Sequence, residues 1–128
     1  MKELKYPKKF KTEDDLKKWL DENEIEYEWC HVYINGDWEY QDEQHFWHLY
    51  RDGVELTKGI KIKWVFSDNN GDWRYQDEQE FWHLYRDGVE LTAGVKAKWV
   101  YSYENGHWRY KDEQNQWYEF DKNNNKIK

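Results

Sequence analysis

One cysteine in 128 residues, Cys30, excludes an internal disulfide framework and fits a reducing compartment. No run approaches the ~18 apolar residues of a membrane-spanning helix. The opening stretch Met1-Lys2-Glu3-Leu4-Lys5-Tyr6-Pro7-Lys8-Lys9 lacks the apolar core of a secretory signal. These absences predict a cytoplasmic protein that does not contact a membrane. A basic excess is missing as well: the net charge is −7, which argues against direct binding of nucleic acid, because phosphate contacts need a basic face. The charge is uneven. Segments 1–24, 25–59, 60–94 and 95–128 carry 0, −6, −3 and +2, so the chain runs from acidic to mildly basic.

What the chain has instead is aromatic. Hydrophobic residues make up only 38%, but aromatics 20%, so rings must supply most of the buried apolar area. They recur. Asn35-Gly36-Asp37-Trp38 returns as Asn70-Gly71-Asp72-Trp73 and, altered, as Asn105-Gly106-His107-Trp108, a period of 35 residues. Trp29, Trp38 and Trp47 recur as Trp64, Trp73 and Trp82 and as Trp99, Trp108 and Trp117, which accounts for nine of the ten tryptophans. Asn-Gly between alternating apolar residues predicts a type I′ hairpin in each copy. Positions 35–60 and 70–95 differ at four of 26 sites, whereas the third copy has drifted and loses the Asp-Gly turn seen at 52–53 and 87–88.

A single domain over 1–128 is expected, built in order from an extended arm (1–11), a helix (12–24), repeats at 25–59, 60–94 and 95–121, and a polar tail (122–128). Thr12-Glu13-Asp14-Asp15 resembles a capping box, and Leu16, Trp19 and Leu20 form one apolar stripe on a helix from about Glu13 to Glu22 that ends at Asn23. This helix is expected to lie over one face of the sheet. From Ile25 the period becomes two: Ile25, Tyr27, Trp29, His31 and Tyr33 read as the buried face, with Ser67 and Ser102 on the solvated one. The strand from Trp47, apolar on both sides, reads as central or sandwiched. The predicted fold is mainly β (α+β): three tandem antiparallel meanders of 35 residues with a short N-terminal helix packed on the sheet.

No catalytic residue, metal ligand or cofactor is predicted. His45 and His48 lie three apart on what reads as a strand, without a completing Cys pair or carboxylate. His48 and His83 stand where the third copy has Tyr118, which suggests aromatic-like packing with a polar tip. Cys30 occupies a slot filled by Val65 and Val100 and reads as a small hydrophobe. Neither a strained nucleophile elbow nor a phosphate loop is present, and Asp68-Asn69-Asn70-Gly71-Asp72 reads as a turn rather than a calcium loop.

Two sets of residues remain as candidate binding groups. The pairs Asp42-Glu43, Asp77-Glu78 and Asp112-Glu113 fall at equivalent turns and would stack as a row of acidic tips. Trp47, Trp82 and Trp117 lie on the two-faced strand, where rings on the second face would form a ladder of flat platforms. The other indole sets, 29/64/99 and 38/73/108, read as core.

The pattern Trp99 … Asn105-Gly106-x-Trp108-x-Tyr110, with Tyr85-x-x-Gly88 and Gly94, resembles the aromatic hairpin repeats of choline-binding and glucan-binding cell-wall modules over residues 25–121, although those repeats are shorter and occur in secreted chains. The resemblance implies ligand held between successive hairpins. A meander of this length with Trp near its start also resembles WW domains, without their paired aromatics and proline signature. The expected function is non-enzymatic: an acidic binding or inhibitor protein that meets a basic macromolecular partner through its acidic turns and exposed aromatics, by class analogy a phage counter-defence or immunity-type protein. The alternative is a carbohydrate, cell-wall or small-ligand (nucleotide) module using the tryptophans. Head-to-tail self-association, acidic first repeat against basic last repeat, is a further expectation.

Overall fold

The structure, a computed structural model, describes residues 5–127; residues 1–4 of the expected arm and 128 of the expected tail lie outside the described residues. The architecture is mainly β, with one helix among the described residues. Helix α1 spans Glu13–Glu22. The first sheet has order β1-β2-β3-β4, from Trp29–Val32, Trp38–Gln41, Trp47–Arg51 and Val54–Glu55. The second repeats that order with β5 (Trp64–Ser67), β6 (Trp73–Gln76), β7 (Trp82–Arg86) and β8 (Val89–Glu90). The third has order β11-β10-β9, from Trp117–Phe120, Trp108–Lys111 and Trp99–Ser102. The pairings between these strands are antiparallel and keep within a repeat, while an isolated bridge joins Trp82 to Ala97 across the second and third repeats. The chain divides into two compact units, Met1–Ile62 and Lys63–Lys128, so the second unit holds two repeats.

In the first unit, Thr12 starts α1 as read from the sequence: its Oγ1 accepts from the Asp15 N–H at 3.1 Å, and Glu13, Asp14 and Asp15 sit at the positive end of the dipole. Leu16 and Leu20 are fully buried with Cys30, Trp38 and Tyr50, which makes the helix a cover for one face of the first sheet. The arm shares in this. Tyr6 stacks on Tyr50 with centroids 4.8 Å apart, Phe10 meets Trp38 edge-on at 5.2 Å, and the Pro7 carbonyl accepts from the Trp38 indole at 3.2 Å. Trp38 is thus enclosed on every side with its one polar atom satisfied.

The face of the first strand is a correction. Its alternation is real but inverted: Cys30, Val65 and Val100 are buried, whereas Trp29 is 67% exposed and Trp64 45%. Register explains the choice. Cys30 lies opposite Tyr40 and His48, so the face that meets the core already carries rings on β2 and β3, and only a small side chain fits beside them. Ser67, opposite Trp73 and Tyr85, is buried on that same face rather than solvated. The strand is also shorter than its pattern, beginning at Trp29.

The Asn-Gly turns are a second correction. Gly36 has φ +96° but Asn35 is not left-handed, the Gly36 N–H donates to the Tyr33 carbonyl at 2.9 Å, and Tyr33 N–H donates to the Asp37 carbonyl at 2.8 Å. This is a type I turn closed by one left-handed residue, not type I′. Positive φ at both positions occurs instead at Asp52-Gly53 and Asp87-Gly88. The same closed loop recurs at 42–46, 77–81, 112–116 and 121–125, where His45, Glu80, Asn115 and Asn124 take the left-handed place of the glycine. The last of these folds the polar tail back, so that Phe120 bridges Lys126 and the Asn124 side chain accepts from the Trp108 indole at 2.9 Å.

In the first two repeats the third strand is covered on both faces, as its apolar pattern predicts, whereas Trp117 in β11 stays exposed. After each Asp-Gly turn the chain crosses over that strand: Leu56 N–H donates to Leu49 O and Trp47 N–H to Ile62 O in the first unit, and Leu91 to Leu84 and Trp82 to Ala97 in the second. In the second unit this crossing brings Ala97, Trp99 and Val100 onto Trp82 and Leu84, with Trp108 in the same cluster, so the second and third sheets share one core.

Candidate functional site

The acidic turns are built on their own loops. Asp42 Oδ1 accepts the amides of Gln44 and Phe46 at 2.9 and 3.0 Å, and Oδ2 lies 2.8 Å from His48 Nε2. The other ring nitrogen, Nδ1, is 2.8 Å from Glu55 Oε2, which also accepts from Thr57 Oγ1 at 2.9 Å. Tyr40 stacks on the imidazole at 4.8 Å. Burial favours the neutral ring, but hydrogen bonds and charge from Glu55 and Asp42 outweigh it and raise the His48 pKa. Burial likewise opposes ionisation of Asp42 and Glu55, yet the bonds to His48, joined by the loop amides at Asp42 and by the Thr57 and Tyr50 hydroxyls at Glu55, hold both below the ordinary carboxylate range. The second repeat copies every atom of this clamp in Asp77, His83, Glu90, Thr92 and Tyr75. In the third, Tyr118 OH donates to Asp112 Oδ2 at 3.1 Å.

Of the predicted acidic tips, therefore, Asp42, Asp77 and Asp112 point into their own turns, and only Glu43, Glu78 and Glu113 are exposed. The tryptophan ladder is corrected similarly. Trp47 and Trp82 are buried beneath the crossing segments, and Trp117 alone of the three is exposed, at 40%. The periodic sequence holds the clamp residues at fixed offsets, but carboxylates 6 residues before and 7 after a histidine are recognisable only once the loop and the short fourth strand bring them to one ring.

A second repeated pairing lies at the other end of each hairpin. Arg51 holds Asp37 through Nε and Nη2 at 3.1 and 2.8 Å, and Arg86 holds Asp72 at 2.9 and 2.8 Å. Asp72 is buried and also accepts from Ser102 Oγ at 2.6 Å. At the equivalent third-repeat positions the signs exchange, with His107 and Asp121, and the His107 charge contributes to lowering the Asp121 pKa after the Asn125 and Asn123 amides. On the outer face of the second strand Glu39 is 4% exposed, and burial pushes its pKa up to about 8 against a hydrogen bond from Tyr33 OH. Arg74 takes that position in the second repeat, ringed by Phe66, Trp82, Trp99 and Tyr101 with its guanidinium carbon 5.0–5.9 Å from each centroid.

Among the described residues, each unit has an open groove that could take a ligand. In the first unit, a groove of about 790 Å³ is lined by Asp21, Glu24, Ile25, Glu26 and Tyr27, where the chain leaves α1. Glu24 is left-handed there, φ +57°, at the helix-terminating position that ordinarily takes glycine or asparagine, and no basic residue occupies the last turn. In the second unit, a groove of about 490 Å³ is lined by Phe81 and Trp99, the amides of Gln76, Gln79 and Asn115, and Glu80, Glu113, Lys98 and Lys111. No group of three or more potential metal ligands occurs among the described residues, and no helix among them is long and apolar enough to cross a membrane. Compared with protein-family models, with curated proteins and with solved structures, the chain matches none.

Proposed function

We propose that this is a non-enzymatic binding protein whose first unit takes a basic segment of a protein partner in the groove at the exit of α1. The supporting observation is Glu24. An L-residue in the left-handed region costs about 1–2 kcal/mol, and carboxylates at the negative end of a helix dipole cost roughly 0.3–1 kcal/mol. Glycine at that position would avoid both costs. Glu24 instead accepts them and, with Asp21 and Glu26, surrounds Ile25 and Tyr27 with acid. A lysine- or arginine-rich segment would offset that repulsion and lay its aliphatic stems on the apolar floor.

The test sets stability against binding. Glu24→Gly should stabilise the protein by about 1 kcal/mol while weakening a fluorescent Lys/Arg-rich peptide several-fold, and roughly 0.5 M salt should weaken the wild-type complex as screening predicts. Peptide affinity indifferent to both the substitution and the salt would refute the reading.

The groove of the second unit favours a saccharide as a second reading, because two rings for stacking and three amides for hydroxyl groups line it. Trp99 emission during titration with oligosaccharides distinguishes the two.

A further inference from the structure

We propose that the groove of the second unit selects a sugar that carries a carboxylate, seated on Trp99 between Lys98 and Lys111. This rests on reading that groove as a saccharide site and adds the charge of its ligand. Trp99 is half-buried and held in place: it meets Trp82 edge-on with centroids 5.0 Å apart and Tyr101 edge-on at 5.6 Å. Lys111 lies directly opposite Trp99 in the β9–β10 register, and the Lys98 N–H donates to the Lys111 carbonyl at 2.8 Å, so both lysines sit beside the indole. The second-repeat turn that lines the groove is fixed as well, since the Gln76 side-chain amide donates to the Glu80 carbonyl at 3.2 Å.

The repeat supplies the comparison. One period earlier the residue at the Lys98 position is Lys63, and its ammonium lies 3.2 Å from Glu80, an ion pair within the second unit. In the third repeat Asn115 stands where Glu80 does, and Lys111 where Gln76 does. An amide thus replaces the carboxylate, and a cation replaces the amide. Lys98 lacks the acid that its counterpart holds, and neither Lys98 nor Lys111 makes an ion pair among the described residues. Glu80 also lines the groove but is engaged by Lys63, which leaves Glu113 as the one carboxylate there against two cations.

A neutral sugar has no use for these cations, because the rings and amides already serve its faces and hydroxyl groups. Lys111 Nζ lies 5.7 Å from the Trp117 centroid, a contact with an exposed ring that leaves its charge uncompensated. Two ammonium groups beside one indole repel each other, and a carboxylate between them offsets that repulsion through charge-assisted hydrogen bonds. A uronic acid stacked on Trp99 carries its carboxylate at the edge of the sugar ring, within reach of the flexible four-carbon lysine stems.

Calorimetric titration of the full chain with oligosaccharides of galacturonic, glucuronic and mannuronic acid, each beside its methyl ester, isolates the charge requirement. At least one uronate should bind, with its ester ~10-fold weaker or more. Lys111→Gln and Asn115→Glu write the second repeat's residues into the third. Glu80 already takes the left-handed backbone that Asn115 has, φ +73° against +66°, so both variants should fold. Each should weaken the uronate ~5–10-fold and leave the ester unchanged. Acid and ester bound alike, or variants that bind the uronate as wild type does, would overturn the proposal while the saccharide reading stands. Binding of neither form would sink both, and a mononucleotide that binds more tightly than every uronate would replace the sugar as the ligand.

Discussion

Glu39→Gln isolates the cost of one buried carboxyl. The side chain lies on the outer face of β2, almost without solvent contact, and the amide keeps its shape and its acceptor for Tyr33 OH. Below about pH 4 the wild-type carboxyl is protonated in both states, and the two proteins should be equally stable. Between its ordinary pKa near 4.5 and the folded value of about 8, the unfolded chain releases a proton that the folded chain keeps, so wild-type stability falls as pH rises and levels off above 8. At about 1.4 kcal/mol for each tenfold change in acidity, the full interval corresponds to roughly 5 kcal/mol. Relaxation and water entry reduce that, so Glu39→Gln should exceed wild type at pH 8 by about 3–5 kcal/mol. Urea unfolding followed by tryptophan emission at pH 4, 5, 6, 7 and 8 measures the gap. A difference that stays constant across those values, or that favours wild type at pH 8, would refute the reasoning.

The clamp around His48 contributes in a different window. His48, raised, stabilises below about pH 6.5 and loses its contribution as pH climbs through its folded value; Asp42 and Glu55, lowered, stabilise above about pH 4.3 and lose theirs as pH falls. An NMR titration should place the His48 midpoint above 6.5, and His48→Gln, which leaves two carboxylates short of a donor, should cost about 1–3 kcal/mol. Gly53→Ala and Gly88→Ala compare one turn in two settings: both have φ near +80°, but a Cβ at Gly53 would lie 2.7 Å from the Tyr6 carbonyl and one at Gly88 meets nothing. Thermal unfolding should show the first as the costlier, and equal losses would mean that the arm does not hold Tyr6 there. Asp72→Ala leaves Arg86 and Ser102 without their shared acceptor and should cost about 3–5 kcal/mol in denaturant titration. The Cys30 thiol, buried and pushed up in pKa by that burial, should react with a thiol probe far more slowly in the folded protein than in urea.

Features that depend on neighbouring residues were legible from the residues alone. Thr12, the acids after it and the Leu16-Trp19-Leu20 stripe set α1 to within a residue, because caps and i, i+4 contacts are made inside the helix. The 35-residue period fixed three equivalent meanders, since identical strands and loops make identical local hydrogen bonds. Alternation at Trp29 divided the strand into two faces, but period two is blind to which face is covered. That was decided by the rings opposite it on β2 and β3 and by the leucines of α1, which leave room for a thiol and not for an indole. Likewise, composition could count carboxylates and histidines, but only the folded loops turn Asp42 inward and leave Glu43 to solvent. Sequence determined the elements and their repetition through contacts a few residues long; tertiary structure decided burial, ionisation and the available surface, because these depend on groups distant in the chain meeting at one place.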